Sequence, residues 1–281
     1  MEQIFVDEDA FRGKETIMGA IIGDIVGSRF EFNPIKSKDF EFFNNGDKFT
    51  DDTVMTVAIA QSLLEYKAKS GDLSGLAIKN MKAYGKRYPH AGYGGKFRKW
   101  LAQPLAEPYG SFGNGSAMRI SALAYAAQDL EELHELVDKV TVVTHNHPEG
   151  IKGARAVADC IWLAFNGKTK QEIKQYVEDN YYKLDFDYDE LVANYSFDVT
   201  CQGSVPQSIY AFLISDSFED TIRTAVSMGG DADTMAAIAG AIAGAYYGVP
   251  EVLVDEAKKY LTKDMLEVVE MYDTMLNLLW N

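Results

Sequence analysis

The sequence has few cysteines, few basic residues and no long hydrophobic run, and each shortage excludes a class of protein. Two cysteines, Cys160 and Cys201, cannot build a disulfide framework, and they lack C-x-x-C spacing. Lys and Arg total 27 against 42 Asp and Glu, and the resulting net charge of −15 is opposite to a nucleic-acid-binding footprint. The longest apolar run, residues 235–249, is shorter than the roughly 18 residues of a membrane span.

These shortages favour a cytoplasmic protein that binds neither bulk nucleic acid nor a membrane. The acidic N-terminal residues also lack the basic and then apolar pattern of an export signal. With 281 residues, 47% of them hydrophobic and 25% charged, the chain has a globular composition. No Pro-rich or Ser-rich linker divides it, so we predict a single domain over residues 1–281. The acidic surface favours a soluble monomer.

Apolar residues recur mainly at three- and four-residue steps, which predicts an all-α fold. One such stripe is formed by Leu130, Leu133, Val137 and Val140. Helix boundaries are predicted by Asp129 and Ser217 as N-caps, Pro148 in a first turn and the pair Gly229–Gly230 as a stop. Residues 40–43 and 184–188 alternate aromatic side chains but are too short to found a sheet, and residues 181–201 are predicted as an irregular insertion between helices.

Two sets of glycines recur at every fourth residue and predict helices that approach each other closely. They are Gly19, Gly23 and Gly27, and Gly240, Gly244 and Gly248. A glycine inside a helix costs about 1 kcal/mol relative to alanine, and close helix packing is one compensation. If these helices cross antiparallel, Asp231 and Asp233 come near Asp24 and Glu31. A packing motif without a functional role is the alternative interpretation.

Two acidic clusters, at residues 50–53 and 231–234, each precede an apolar helix. They hold four aspartates, Asp51, Asp52, Asp231 and Asp233. One Asp at a helix start is a simple N-cap, but two at each start exceed what capping requires. Carboxylate and Thr hydroxyl oxygens are hard ligands that favour Mg²⁺, Mn²⁺ or Ca²⁺ over Zn²⁺. If the clusters meet in space, four aspartates suggest two ions and a hydrolase-like site.

Two further segments carry candidate ligand-binding groups. Residues 111–119 place glycines and small side chains before an apolar helix, where backbone N–H groups can bind a phosphate; an ordinary turn is the alternative. His145 and His147 form an H-x-H pair at a helix boundary, suited to a transition metal or to capping and substrate contact. No signature of a serine or cysteine nucleophile is present.

Taken together, these motifs resemble the ADP-ribosylglycohydrolase family, which includes the dinitrogenase-reductase-activating glycohydrolase. The matching blocks are residues 19–31, 50–53, 111–119, 144–145 and 229–234, with the Ala- and Gly-rich helix that follows the last one. They occur in the family's order and span most of the chain. Residues 1–13 have no counterpart, so we expect them to be an extension outside the core. Ala232 stands where the family often has Thr.

The resemblance implies a single compact, orthogonal multi-helix domain whose cleft holds two Mg²⁺ ions, with Mn²⁺ as an alternative. The implied metal ligands are Thr50, Asp51, Asp52, Asp231, Asp233 and Thr234. The implied catalytic carboxylates are Glu31, Asp51 and Asp52. The implied substrate-binding residues are Ser111, Phe112, Gly113, Asn114, Gly115, Ser116, Met118 and His145.

The activity that the resemblance implies is metal-dependent hydrolysis of the glycosidic bond between ADP-ribose and an acceptor. The acceptor, a mono-ADP-ribosylated protein side chain or a small molecule, is left open. Two alternatives remain at this point. One is a metal-dependent nucleotide phosphohydrolase, which acidic clusters and a phosphate loop would serve equally well. The other is a catalytically silent ADP-ribose-binding protein.

Overall fold

The computed structural model describes residues 16–69 and 71–280, and over these residues the fold is all-α. The helices are α1 (Met18–Gly27), α2 (Asp51–Lys69), α3 (Leu73–Arg87), α4 (Gly95–Ala102), α5 (Ser121–Ala124), α6 (Leu130–Thr141), α7 (Pro148–Phe165), α8 (Lys170–Asn180), α9 (Tyr188–Asn194), α10 (Cys201–Ile214), α11 (Phe218–Met228), α12 (Ala232–Tyr247), α13 (Glu251–Lys258) and α14 (Lys263–Trp280). A 3₁₀ turn covers Asn114–Ser116, and the β-pairing within the described ranges is an isolated bridge between Gly113 and Thr200. The predicted fold class is confirmed, and the predicted extension, residues 1–13, lies outside the described part of the chain.

Helix boundaries follow local chemistry, as the sequence predicts. The side chain of Asp129 accepts from the backbone N–H of Glu132 at the start of α6, and Ser217 caps α11 in the same way. Pro148 is the first residue of α7, where its missing N–H costs nothing. Gly229 follows the last residue of α11 with a φ of 73°, a conformation that favours glycine.

The centre of the molecule is the antiparallel pair α1 and α12. Gly19 faces Gly240, whereas Gly27 faces Asp233 at the opposite end of α12. A Cβ atom added to Gly23 would lie 2.0 Å from the carbonyl oxygen of Ala236, so the backbones touch directly. The predicted close approach is therefore confirmed. Gly248 has a different role, because it ends α12 instead of packing against α1.

The remaining helices surround this pair, and their apolar faces form a continuous core. Every residue of α1 is buried, as is α12 from Ala232 to Ala243. Residues 40–43 form no strand, and the segment 181–201 contains the short helix α9. Among the described helices, none combines the length and the apolarity that a membrane-spanning segment requires. The antiparallel crossing places the start of α12 beside the end of α1, where the acidic residues converge.

Candidate active site

A cavity of about 470 Å³ opens where α1, α2 and α12 meet the loop before the 3₁₀ turn. This volume is within the range of small-molecule sites. Its acidic lining comprises Glu31, Asp51, Asp52, Asp231 and Asp233, together with Thr234. Its other lining groups include Tyr109, Ser111, Gly113, Asn114, Gly115, Met118, Arg119 and His145. Three segments far apart in the sequence therefore share one cavity: the acidic clusters at residues 50–53 and 231–234, and the glycine loop, residues 111–119.

Asp24 belongs to the site, although the sequence indicated only that it could lie near Asp231 and Asp233 and assigned it no role. It is fully buried in α1 and accepts hydrogen bonds from the backbone N–H groups of Thr50 and Thr53, at 2.8 and 3.0 Å. The hydroxyls of both threonines also donate to it. Thr50, which the family resemblance implies as a metal ligand, thus orients Asp24. A lone carboxylate in the otherwise apolar helix α1 was the available signal.

The carboxylates form two close groups that share one residue. Oxygens of Asp24, Asp52 and Asp233 lie within 4.8 Å of one another, and so do those of Glu31, Asp231 and Asp233. Asp51 belongs to neither group, although its side chain lines the cavity. Packing carboxylates this closely favours the binding of a cation, because ionised groups at such distances repel each other.

Asp52 supplies a specific test of whether a cation fits. Its Oδ2 accepts from the Thr234 hydroxyl at 3.1 Å, but its buried Oδ1 has no hydrogen-bond partner. A buried polar atom without a partner is unfavourable unless something absent from the protein itself satisfies it. The neighbouring atoms that could ligate a metal are carboxylate oxygens, which suit a hard divalent cation. The residues present fit such an ion.

Electrostatics of the ion-free cluster point the same way. Burial, followed by Asp231 and Asp24, raises the pKa of Glu31 to about 7 against the opposing effect of Lys48. Burial and the neighbouring Asp24 raise the pKa of Asp51 to about 8. Burial and the adjacent aspartates also raise the pKa values of Asp52 and Asp233. The cluster therefore retains protons at neutral pH unless positive charge replaces them.

The glycine loop is attached directly to the acidic cluster. Asn114 Nδ2 donates to Asp231 Oδ2 at 2.6 Å and to the hydroxyl of Ser204 at 3.2 Å. The backbone N–H of Asn114 donates to the carbonyl of Val199 at 2.8 Å, beside the bridge to Thr200. These hydrogen bonds fix the position of the glycine loop relative to Asp231.

Most of the implied substrate-binding residues reach the cavity, and two do not. Ser111, Gly113, Asn114, Gly115, Met118 and His145 line it. The hydroxyl of Ser116 instead donates to the carbonyl of Gly150 at 2.8 Å in the core. Phe112 is partly exposed and packs against His147, with 5.1 Å between ring centroids.

The two histidines of the H-x-H pair have different surroundings. His145 is buried, lines the cavity and has its Nδ1 2.7 Å from the hydroxyl of Thr144. His147 caps α7, because its Nδ1 accepts from the backbone N–H of Glu149 at 3.1 Å. Capping and cavity contact thus account for the pair. The exposed aromatic side chains Phe32 and Phe197, which we did not assign from the sequence, also line the cavity.

Comparisons with known proteins agree with this geometry. The family model described as ADP-ribosylglycohydrolase matches residues 7–278. The human protein named ADP-ribosylhydrolase ARH3 is 29% identical, over 91% of this chain and 91% of its own. The ADP-ribosyl-[dinitrogen reductase] glycohydrolase of Rhodospirillum rubrum is 26% identical, over 82% of this chain and 80% of its own.

A solved structure shows a similar fold. It is titled an ADP-ribosylglycohydrolase-related protein complex, and it matches 97% of this chain and 99% of its own with a TM-score of 0.71 at 22% identity. Since the family model covers nearly the whole chain, including both acidic clusters and the glycine loop, the protein is a hydrolase that belongs to the ADP-ribosylglycohydrolase family.

Proposed function

We propose that this protein hydrolyses the glycosidic bond between ADP-ribose and an acceptor in a reaction that depends on divalent cations. The observation that carries the proposal is the hydrogen bond from Asn114 to Asp231, which joins the glycine loop to the acidic cluster within one cavity. A ligand that spans this cavity places an anionic part against the loop and a hydroxylated part against the carboxylates. ADP-ribose has both parts.

The acidic cluster would hold two Mg²⁺ or Mn²⁺ ions, one for each group of carboxylates. Asp24, Asp52 and Asp233 would hold one ion, and Glu31, Asp231 and Asp233 the other. Bound divalent cations supply positive charge that orients sugar hydroxyls and lowers the pKa of a water molecule. Thr50 and Thr53 contribute by fixing Asp24, and Thr234 by fixing Asp52.

In the proposed reaction, water attacks the anomeric carbon of the ribose while the bond from that carbon to the acceptor breaks. Positive charge that develops on the sugar is stabilised by the surrounding carboxylates. We assign Glu31 as the proton acceptor, because it is half-buried and lines the cavity beside Asp231 and Asp233. Asp51, also at the cavity, is the second candidate for this role. The carboxylate that takes the proton from the attacking water returns it to the departing acceptor, so one water is consumed and no net proton is gained or lost.

The names of the relatives support the reaction class and leave the acceptor open. One is named an ADP-ribosylhydrolase and the other acts on ADP-ribosyl-[dinitrogen reductase], as its name states. We propose that this protein acts on an ADP-ribosylated protein side chain or on a small ADP-ribosyl compound. Arginine, serine, a nucleobase and a small metabolite are the acceptors that this proposal leaves open.

Release of ADP-ribose tests the proposal directly. The protein would be treated with EDTA, returned to Mg²⁺, Mn²⁺ or buffer alone, and incubated with peptides ADP-ribosylated on arginine or on serine and with O-acetyl-ADP-ribose. Mass spectrometry should detect free ADP-ribose only when a divalent cation is present. Release of AMP or phosphate would instead support the phosphohydrolase alternative. Thermal stabilisation by ADP-ribose without turnover of any substrate would support a silent binding protein.

A further inference from the structure

Arg119 is a fully buried cation in the wall of the cavity, and it has no carboxylate partner among the described residues. Its Nη2 donates to the hydroxyl of Thr144 at 2.8 Å and to the carbonyl of Val140 at 3.2 Å. Its guanidinium carbon lies 5.9 Å from the centroid of the Phe97 ring. Burying a charge without a counter-ion is costly, so the presence of Arg119 at this position needs an explanation.

The hydrogen bond from Arg119 to Thr144 restricts the direction in which the hydroxyl proton of Thr144 can point. A guanidinium group can only donate, so Thr144 Oγ1 is the acceptor in its contact with Arg119. Among the described residues, this hydroxyl has one other hydrogen-bond contact, with His145 Nδ1 at 2.7 Å. Its two lone pairs could accept from both groups, but its proton has no other acceptor among the described residues, so this buried hydroxyl is satisfied only when it donates to Nδ1. Because Nδ1 accepts, a neutral imidazole at this position must carry its proton on Nε2.

His145 Nε2 lies against the glycine loop in the wall of the cavity. A Cβ atom added to Gly115 would lie 3.6 Å from Nε2, and one added to Gly113 would lie 3.8 Å away. Arg119 is the charged group that acts on this ring, and the ring of Tyr109 packs beside it with 6.1 Å between ring centroids. Burial and then the charge of Arg119 lower the pKa of the imidazole. The ring is thus held neutral.

We propose that Arg119 and Thr144 are positioning residues that fix His145 as its Nε2–H tautomer, so that the cavity wall presents one obligatory hydrogen-bond donor to a ligand oxygen. The ligand part of this inference rests on the proposed function. The ligand oxygen that accepts the hydrogen bond from Nε2 is an anionic oxygen of ADP-ribose placed above Gly113 and Gly115. A phosphate oxygen accepts a hydrogen bond and cannot donate one when ionised. The fixed tautomer therefore favours an anionic group over a donor such as an amide N–H.

Nitrogen NMR on the wild-type protein tests the tautomer without any ligand. The chain has four histidines, so ¹⁵N-histidine labelling gives a spectrum in which His145 is assigned by its loss in a His145→Gln variant. His145 should show a pyridine-like Nδ1 and a pyrrole-like Nε2 between about pH 5.5 and 8.5, a range around the ordinary histidine pKa. A proton on Nδ1, or an imidazolium at pH 7, would overturn the inference.

Variants of two threonines then separate this role from simple packing. Thr144→Val should introduce the Nδ1–H tautomer and weaken ADP-ribose binding about 10-fold by calorimetry, and Thr144→Ser should restore both. The matched control is Thr141→Val, because Thr141 is equally buried and its hydroxyl has no partner. It should change neither readout.

An unchanged tautomer and affinity in Thr144→Val would contradict the inference. If that variant does not fold, the wild-type spectrum and Thr144→Ser still decide it. Failure of ADP-ribose to bind the wild-type protein would instead overturn the ligand named in the proposed function, whereas the spectrum alone decides the tautomer.

Discussion

Asp24 and Asp52 are both buried carboxylates, yet the fold satisfies only one of them. Asp24 accepts hydrogen bonds from two backbone N–H groups and two hydroxyls, which compensates its loss of water. Asp52 Oδ1 has no partner, and leaving a charged group unsatisfied costs roughly 1–3 kcal/mol or more. Asp24 is therefore held rigidly in place beside the proposed ion, and Asp52 Oδ1 is the carboxylate oxygen that has no protein partner and is available to a cation.

Replacing Asp52 with Asn should separate activity from stability. Because the residue is implied as a direct ligand, we expect Asp52→Asn to lower kcat/KM for ADP-ribose release at least about 100-fold. The carboxyl group of Asp52 has a raised pKa in the folded protein, which opposes folding at pH 8, where the unfolded chain is ionised. In EDTA at pH 8 the neutral variant should therefore unfold at a higher temperature than the wild type.

Asp255→Asn is the matched control, since Asp255 is exposed on α13 and loses the same charge away from the cavity. It should leave both activity and the unfolding temperature nearly unchanged. Wild-type turnover in Asp52→Asn would exclude Asp52 as a ligand. A lower unfolding temperature in EDTA would show that repulsion in the cluster is weaker than its raised pKa indicates.

At the scale of elements, the pair α1 and α12 links packing to chemistry. Asp24 and Asp233 lie on these two helices, and their carboxylates come within 4.8 Å only because the helix backbones touch at Gly23 and Gly27. A side chain between the helices would move the carboxylates apart as well as strain the core. The glycines therefore matter to the site although none of them binds a ligand.

Gly23→Ala tests this connection. Its Cβ would lie 2.0 Å from a backbone carbonyl oxygen, which cannot rotate away, so we expect a loss of about 3 kcal/mol or more in unfolding free energy. Mg²⁺ affinity should fall with it, because Asp24 follows directly in the sequence. Urea unfolding and calorimetric titration with Mg²⁺ measure the two effects.

Gly95→Ala provides the comparison for this variant. Gly95 is the first residue of α4, and a Cβ atom added there meets nothing within 4 Å. Alanine should be neutral or slightly stabilising at that position. Equal stability of Gly23→Ala and Gly95→Ala would mean that α1 and α12 do not touch as described.

At the scale of the whole molecule, the net charge of −15 makes the acidic cluster sensitive to pH and to cations. Glu31 and Asp51, with pKa values of about 7 and about 8, bind protons in the folded protein that they release on unfolding. Carboxyl groups in an unfolded chain titrate near pH 4. The folded state is thus the more protonated one between these limits.

The expected pH dependence follows from this difference in protonation. When the folded state binds more protons, the free energy of unfolding falls as pH rises. In EDTA the protein should therefore lose stability from about pH 5 to pH 8, the window between the unfolded and the raised folded pKa values. Urea denaturation across this range measures the slope.

Saturating Mg²⁺ should flatten that slope and stabilise the protein at pH 8, by about 2.7 kcal/mol at 100 times the dissociation constant. The Asp52→Asn variant should show a shallower slope in EDTA than the wild type, since it has one fewer carboxyl group in the cluster. Stability that rises between pH 5 and pH 8 in EDTA would contradict the raised pKa values.

The sequence by itself determined the features that depend on neighbours along the chain. The spacing of apolar residues, the N-cap residues and the glycine stop signal predicted the all-α fold, because helix formation and helix boundaries depend on residues close together in the sequence. The spacing of Gly19, Gly23 and Gly27 predicted a close helix contact, since residues four apart share one helix face, but it left the antiparallel direction as a condition. Matching the acidic motifs to a family then indicated the reaction class.

Only the tertiary structure decided which side chains meet. It places the hydroxyl of Ser116 in the core, packs Phe112 against His147, and shows that Thr50 bonds to Asp24. It also shows that Asp52 Oδ1 lacks a partner and that Arg119 reaches Thr144. Such facts depend on neighbours contributed by distant segments, and a hydrogen bond is defined by distance and angle in space rather than by separation along the chain.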